Sequence, residues 1–407
     1  MDDLYGRFRR LDRIDAPDLW REAVGRAAAA ETTGLPRPTQ GLTGILVVAL
    51  LLALLAGVVA VGMSQLPLVV GEERLIVVSE CALTSVSLED GAERIILGGP
   101  DHCIDAGANL QTHTGGGRTA LRTTCGACFG FGTAGTQWVG VVDLSSGDAR
   151  ELDACRPGEA PVCLGDISIS PDGTRVAYTR WNLATDLPEL VLADLDDGER
   201  RTIPLPVLPF TGISWMPDSE TVIVSAGEER AGRLVGQLYR VPFSGDPALI
   251  VEAEGIGLGP VAVSPDGRSV AYVTAPLPAR AEVRLASIDG SRSETVWQSS
   301  ARETFVGISW SSDSARIAVT EVPRAQMTAP LSVHVVDLEA GTDATAFTTD
   351  GVCCRQFTVA TWSPDGRTLR IALDLADVRG TLAIPVNGGG PVQVLSEELA
   401  IGWAPAP

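Results

Sequence analysis

Short apolar strands and polar turns alternate along the chain from residue 166 to the C-terminus. In each unit an apolar strand enters a turn and an alternating strand, such as Val176–Thr179, leaves it. Alternation of apolar and polar positions is typical of half-buried strands, so each unit predicts a β-hairpin. The turns read Ser-Pro-Asp-Gly or a variant, in which proline presets the backbone, aspartate accepts an amide hydrogen bond and glycine takes the left-handed conformation. Their aligned aspartates are Asp172, Asp218, Asp266, Asp313 and Asp365.

These hairpins recur at a nearly constant interval. The aligned aspartates are 46, 48, 47 and 52 residues apart, and a second hairpin follows in each unit. Repeats of this length with four short strands are typical of the blades of a β-propeller. Residues 72–407 accommodate seven such repeats. The predicted fold is therefore an all-β, seven-bladed propeller, with six or eight blades as the alternatives.

The repeats resemble the blades of TolB-type propellers and related WD40-like repeats. The resemblance rests on the Ser-Pro-Asp-Gly turns and the strands that flank them. It is clear from residue 166 to the C-terminus and faint over residues 72–165. It implies a propeller fold and, by itself, no particular activity.

The C-terminal residues predict how the propeller closes. Ile401–Ala406 align with Ile213–Asp218, so the chain ends in the first strand of a further repeat. Three strands without a fourth partner are predicted at Arg74–Val78, Leu83–Leu88 and Glu93–Leu97, and we expect the strand that contains Trp403 to join them and complete blade one. Closure would remove exposed sheet edges. One repeat position is shared by four tryptophans, which are expected to pack between blades or, alternatively, to form a ligand-binding cage: Trp215, Trp310, Trp362 and Trp403.

An apolar segment precedes the propeller. Leu42–Met63 is a run of 22 apolar residues, long enough to cross a bilayer as a helix. Arg26 and Arg37 precede it and Glu72 follows it, which favours a cytoplasmic N-terminus. The predicted organisation is a cytoplasmic tail and linker at 1–40, a transmembrane helix at 41–64 and an extracytoplasmic propeller at 72–407, anchored in the cell membrane by a single span. A cleaved signal peptide is the alternative.

Charge separates the tail from the propeller. The first 40 residues contain seven arginines and seven acidic residues, so the net charge of −20 belongs to the propeller. Such a charge repels nucleic acid and anionic lipid headgroups, and no nucleic-acid partner is expected. The tail contains a helix start at Asp15–Asp18 but is too short to bury a core of its own. It is either a disordered or interfacial tail or a docking peptide for a cytoplasmic partner.

All the cysteines follow the apolar segment. Eight cysteines in an extracytoplasmic domain predict disulfides, with the pairing left open. The repeat alignment places them in loops on one face of the propeller, mostly over blades one to three, and function is expected there. They are Cys81, Cys103, Cys125, Cys128, Cys155, Cys163, Cys353 and Cys354.

Reactive-site motifs are weak in this sequence. Cys125 and Cys128 have redox spacing, but they lie in a glycine-rich loop instead of at a helix start, which favours a structural disulfide. Zinc binding with His102 and His113 is an alternative at irregular spacing, so neither a metal site nor a cofactor is predicted. His334 lies in a third strand and is expected to be packed. Nucleophile-elbow, phosphate-loop and dinucleotide motifs are not present.

The predicted function is non-enzymatic binding or sensing by a membrane-anchored extracytoplasmic propeller, with a protein or an envelope component as the ligand. The layout resembles single-span regulators of the anti-sigma type, although the His-Cys zinc motif of those cytoplasmic domains is missing. The alternative is an extracytoplasmic lyase or hydrolase that uses the cysteine-bearing face, with His102 as the candidate for a lyase.

Overall fold

The computed structural model describes a large part of the predicted propeller. The described residues are 74–79, 82–87, 92–98, 111–125, 136–155, 164–182, 185, 187–205, 212–231, 233–254, 260–274, 280–302, 304–323, 330–349, 356–357, 359–374, 379–388, 390–396 and 399–404. They all belong to one compact unit, residues 71–407. The predicted tail and transmembrane helix lie outside the described residues. Within the described ranges, no helix is long and apolar enough to cross a membrane.

The described strands form seven antiparallel sheets of four strands, one of which carries an additional short strand. The first three sheets contain β1 (Arg74–Ser79), β2 (Ala82–Ser87) and β3 (Glu93–Gly98); β4 (Gln111–Gly115), β5 (Arg118–Cys125), β6 (Thr136–Asp143) and β7 (Ala149–Cys155); and β8 (Leu164–Ile169), β9 (Arg175–Asn182), β10 (Leu187–Asp194) and β11 (Arg200–Pro204). Each sheet is one blade, numbered in chain order.

The remaining blades follow the same order. Blades four to six contain β12 (Ile213–Trp215), β13 (Thr221–Arg230), β14 (Arg233–Pro242) and β15 (Ala248–Glu254); β16 (Val261–Val263), β17 (Ser269–Thr274), β18 (Arg280–Ser287) and β19 (Ser293–Arg302); and β20 (Thr304–Trp310), β21 (Arg316–Pro323), β22 (Ser332–Asp337) and β23 (Thr342–Thr348). Blade seven contains β24 (Gln356–Phe357), β25 (Thr361–Trp362), β26 (Thr368–Asp374), β27 (Arg379–Pro385) and β28 (Val392–Ser396), and β29 (Leu399–Ala404) follows it.

The C-terminal strand completes the first blade. β29 runs antiparallel to β1, with Trp403 opposite Leu75 and Gly402 opposite Ile76. The sheet order is β29-β1-β2-β3, so β29 is the inner strand of blade one. Inner strands of neighbouring blades contact one another around the ring, and β29 contacts both β4 of blade two and β26 of blade seven. The prediction of an all-β, seven-bladed propeller is confirmed, and the alternatives with six or eight blades are excluded.

The Ser-Pro-Asp-Gly turns are held by hydrogen bonds within the motif. The Ser264 hydroxyl donates to Asp266 Oδ1 at 2.6 Å, and the Arg268 N–H donates to the same oxygen at 3.0 Å. These bonds stabilise the carboxylate, and the serine bond contributes most to lowering the pKa of Asp266. Gly267 follows with a φ of 70°. The same serine–aspartate bond occurs at the turns of Asp172, Asp313 and Asp365.

Two turns carry serine where the motif has glycine. Ser219 and Ser314 have φ values of 56° and 59°, a left-handed conformation that costs a residue with a side chain about 1–2 kcal/mol. Each hydroxyl accepts a hydrogen bond from the preceding repeat, Ser219 from the N–H of Asp172 at 3.2 Å and Ser314 from the N–H of Asp266 at 3.0 Å. The serines therefore link neighbouring blades where glycine could not.

Arginine and tryptophan side chains also connect the blades. Arg175 donates to the carbonyl of Ser219 in the next blade at 3.0 Å, and its guanidinium lies 4.6 Å from the ring centroid of Phe243. Equivalent arginine bonds run from Arg118 to Gly173 and from Arg316 to Gly366. Indole N–H groups of Trp215, Trp310 and Trp362 donate to the carbonyls of Ser168, Ala262 and Ser309 in the preceding blades at 3.1, 2.9 and 3.2 Å. These three tryptophans pack between blades, as the repeat position predicts; the side chain of Trp403 lies outside the described set.

The hydrophobic core lies in the layers between neighbouring sheets. Alternate side chains of each strand face the adjacent blade, so each layer is filled from two sides. Between blades two and three the layer includes Val139, Val141, Ile169, Val176 and Val191, all almost fully buried. Burying each of these side chains contributes roughly 1.5–3 kcal/mol relative to leaving it exposed.

Deletion of residues 399–407 should unfold or strongly destabilise the propeller. It removes β29, exposes β1 as a free edge and opens the contacts of blade one with blades two and seven. We expect the melting temperature to fall by roughly 10 °C or more, with aggregation detected by light scattering. Deletion of residues 405–407 alone, which lie beyond β29, is the control. Equal melting curves for the two variants would contradict closure by this strand.

Candidate functional site

The propeller has two different faces. The turn face carries the turns between first and second strands and between third and fourth strands. The loop face carries the connections between second and third strands and those between blades. Cys125 ends β5 and Cys155 ends β7, both at the loop face. The connections that contain the other cysteines also begin and end there, but Cys81, Cys103, Cys128, Cys163, Cys353 and Cys354 themselves lie outside the described residues.

The connections at the loop face of blades one to three are long. Residues 99–110 join β3 to β4, residues 126–135 join β5 to β6, and residues 156–163 join β7 to β8. On the turn face the same region needs only Gly116 and Gly117 between β4 and β5. A Cβ atom on Gly116 would lie 1.9 Å from the carbonyl oxygen of Asp172, so blade two has a compact glycine turn where the next blade approaches. Additional chain is therefore concentrated on the loop face.

The turn face is occupied by bonds within the protein. Besides the turn hydrogen bonds, arginines of the outer strands reach the next blade: Arg150 donates to the carbonyl of Leu195 at 2.6 Å, and Arg201 donates to that of Pro242 at 2.7 Å. The predicted turn aspartates lie on this face and serve these local turns. The turn face thus stabilises the ring.

A charged cluster lies at the loop-face ends of β7, β9 and β10, between blades two and three. The Arg180 guanidinium donates to Asp153 Oδ2 at 3.2 Å and to Glu189 Oε2 at 3.1 Å. The Tyr178 hydroxyl donates to the same Asp153 oxygen at 3.1 Å, and the Asn182 amide donates to Glu189 Oε1. We call these five residues the blade 2–3 cluster. They come from three strands, so the packing of two blades decides their positions.

Ionisation in the blade 2–3 cluster follows from burial and pairing. Burial raises the pKa of Tyr178, and the neighbouring Asp153 carboxylate raises it further, so the hydroxyl remains a donor. Desolvation opposes the charge of Arg180, but its hydrogen bonds to Glu189 and Asp153 raise its pKa overall. The Arg180 side chain is 36% exposed. The cluster therefore presents a fixed, permanently charged guanidinium edge beside two carboxylates at the loop face.

Blade two also holds the end of the connection that contains Cys163. Arg122 donates to the carbonyl of Leu164 at 3.2 Å, and the N–H of Leu164 donates to Gln137 Oε1 at 3.1 Å. Burial lowers the pKa of Arg122, while the charge of Asp166 opposes that shift. Cys155 is buried at the other end of this connection, and the described part of the chain contains no free thiol. Both ends of the connection are thus fixed to blade two.

A second polar cluster lies between blades five and six. The Ser299 hydroxyl donates to Glu321 Oε1, and His334 Nε2 lies 3.5 Å from Glu321 Oε2. The imidazole packs against Trp297, with 5.4 Å between ring centroids. The carboxylate lies between hydroxyl and imidazole, whereas activation of a serine requires the imidazole beside the hydroxyl. His334 is a packed residue, as the sequence predicts.

The site residues predicted from the sequence therefore lie in different parts of the propeller. The turn aspartates lie on the turn face, Trp403 lies in the closing strand, and His113 lies on the inner strand β4. His102 is outside the described residues. In the described ranges, no group of three or more His, Cys, Asp or Glu side chains is placed to hold a metal ion.

Sequence reasoning missed the blade 2–3 cluster. Tyr178 and Arg180 are two residues apart on one strand and so share a side of the sheet, which is a weak signal for a common role. Their partner Asp153 belongs to a different repeat, and no local spacing indicates the contact.

Comparisons with known proteins agree on the fold. No protein-family model matches the chain, and no curated protein matches it. A solved structure of a provisionally named 6-phosphogluconolactonase from Bacteroides fragilis NCTC 9343 is similar with a TM-score of 0.51 and 12% identity, covering 83% of this chain and 97% of that one. An oligogalacturonate lyase in complex with manganese is similar with a TM-score of 0.50 and 15% identity, covering 80% and 86%.

TolB from Acinetobacter baumannii is also among the similar structures, with a TM-score of 0.45, 16% identity and coverage of 82% of this chain and 67% of that one. At these identities the likenesses show the fold alone. The TolB-type propeller expected from the repeats is thus confirmed as a fold. The similar structures carry different names, and at these identities they indicate no activity for this chain.

Replacement of Arg180 tests how strongly the blade 2–3 cluster joins its blades. Arg180→Met leaves the carboxylates of Asp153 and Glu189 without their charged donor. Since the guanidinium is partly exposed, we expect a loss of about 1–3 kcal/mol in the free energy of unfolding, measured by chemical denaturation. Arg292→Met is the matched control, because its pair with Glu294 is mostly exposed; its cost should be below about 0.5 kcal/mol. Equal costs would mean that the cluster has no structural role.

Proposed function

We propose that the chain is a membrane-anchored, extracytoplasmic propeller whose loop face binds a protein or envelope ligand without catalysing a reaction. The observation that carries the proposal is the difference between the two faces. The turn face uses its polar groups in bonds between blades, whereas the loop face carries the long connections and the exposed edge of Arg180. Binding surfaces concentrate in loops held by a rigid scaffold.

The chemistry of the blade 2–3 cluster fits recognition. A guanidinium offers several donors in a fixed plane, and the two carboxylates beside it hold that plane in place. Asp153 and Glu189 both accept hydrogen bonds from Arg180, so both carboxylates hold the guanidinium in position. An acceptor-bearing partner, such as a peptide backbone or a carboxylate side chain, suits this edge.

Membrane anchoring is the second part of the proposal. It is supported by the 22-residue apolar run at Leu42–Met63 and by the arginines before it. Disulfides among the eight cysteines suit the same compartment, and Cys155 with Cys163 would close the connection that blade two already holds at both ends. The 1–40 tail would then reach a cytoplasmic partner, as in a single-span regulator.

Protease digestion of intact cells tests the topology. Protease added outside should remove the propeller and leave an N-terminal fragment of the tail and apolar segment, detected with a tag before residue 1. The proposal predicts the same fragment in cells that carry the deletion of residues 405–407. Protection of the propeller, together with loss of the N-terminal tag in intact cells, would reverse the assignment.

Site-specific photo-crosslinking tests which face binds. A photoreactive residue at Thr185, exposed at the loop face, should give a crosslinked adduct in cells. The matched position is Ala340, exposed at the turn face, which should give none. Adducts from Ala340 alone would refute loop-face binding.

Turnover of a glycan or ester by the purified full chain, lost on His102→Ala, would favour the lyase or hydrolase alternative.

A further inference from the structure

One position of the inner strands forms a ring around the propeller axis. The strand registers define it: each member lies opposite a buried residue of the second strand, such as Ala120, Ala177 or Ala318. Its members in blades one to seven are Gly402, His113, Ser168, Ser214, Ala262, Ser309 and Thr361. We call this set the axial ring. Six of its members are no larger than threonine, and His113 is the exception.

Most of the axial ring is used in bonds between blades. The hydroxyl of Ser214 accepts from the N–H of Val263 at 3.0 Å, and that of Ser309 donates to the carbonyl of Ala360 at 2.6 Å. The carbonyl of Ser168 accepts from Trp215. His113 and Thr361 differ, since both side chains are exposed. Because the inner strands surround the axis, this exposure opens towards the central channel.

The imidazole of His113 has no hydrogen-bond or ion-pair partner among the described residues. Its backbone is paired with β5, and its carbonyl also accepts from the Thr119 hydroxyl at 3.4 Å. Although part of the His113 side chain reaches solvent, the protein atoms packed around it desolvate the imidazole and lower the pKa of His113. A neutral imidazole has one donor and one acceptor nitrogen. The ring thus presents a donor, an acceptor and a threonine hydroxyl with no formal charge among its members.

These groups select a class of ligand. A hydroxyl group both donates and accepts, so a polyhydroxylated molecule satisfies an imidazole and a threonine hydroxyl together. The net charge of −20 disfavours anions, and the axial ring has no carboxylate to hold a cation. We propose that His113 of blade two, with Thr361 of blade seven on the other side of blade one, forms a binding site in the central channel for a small, uncharged, hydroxyl-rich ligand of the sugar or polyol class. This site is separate from the loop face and does not depend on the function proposed above.

The test compares three sugars that share one ring and differ in charge: glucose, glucuronate and glucosamine. Each is titrated into the detergent-solubilised full chain while the histidine imidazole signals are followed by nitrogen-correlated NMR. Glucose should shift the His113 signals and bind more tightly than glucuronate and glucosamine. The signals of His334, half-buried between blades five and six, should stay unchanged and serve as the internal control.

Two variants decide the role of the imidazole. His113→Ala should weaken glucose binding about tenfold or more, since two hydrogen bonds are lost, and leave the melting temperature close to that of the parent. His113→Gln, which keeps a donor and an acceptor, should retain part of the affinity. The proposal is overturned if glucose does not bind, if glucuronate or glucosamine binds more tightly, or if His113→Ala binds glucose as well as the parent does.

Discussion

The antiparallel pairing of β29 with β1 is the interaction on which the rest of the structure depends. Without it, blade one would have three strands and a free edge, and the inner strands would not form a ring. With it, each blade is packed on both sides, and the layers of buried side chains run around the molecule without interruption. The first and last described strands are separated in sequence by the entire propeller, so closure forms a very non-local contact.

Closure also explains why the two faces differ. Blades that meet around a ring approach closely at the turn face, where Arg175, Ser219 and their equivalents bond one repeat to the next. Those bonds leave little freedom for variation in the turns. At the loop face the connections differ in length, from residue 303 alone between β19 and β20 to residues 99–110 between β3 and β4. The stable ring therefore supports a variable surface, which is the arrangement that recognition requires.

The same ring geometry brings polar side chains from different repeats into contact. Asp153 ends up beside Arg180 because the outer part of blade two packs on the second strand of blade three. Glu321 of blade six accepts from Ser299 of blade five in the same way, whereas its other neighbour, His334, belongs to its own blade. His113 takes its place in the axial ring because β4 has the register of the other inner strands, although its turn is the pair Gly116 and Gly117 instead of Ser-Pro-Asp-Gly.

The sequence by itself determined the hairpins, the blade count and the closing strand. Each turn is built from bonds within about six residues, as between Ser264, Asp266 and Ser269, so its signal is local and repeats with the period. The tertiary structure alone decided the blade 2–3 cluster and the axial ring. Their members come from different repeats, and only the ring geometry brings them together. Blade two shows the limit of prediction from sequence most clearly. It lacks the Ser-Pro-Asp-Gly motif that would have aligned His113 with the inner strands of the other blades.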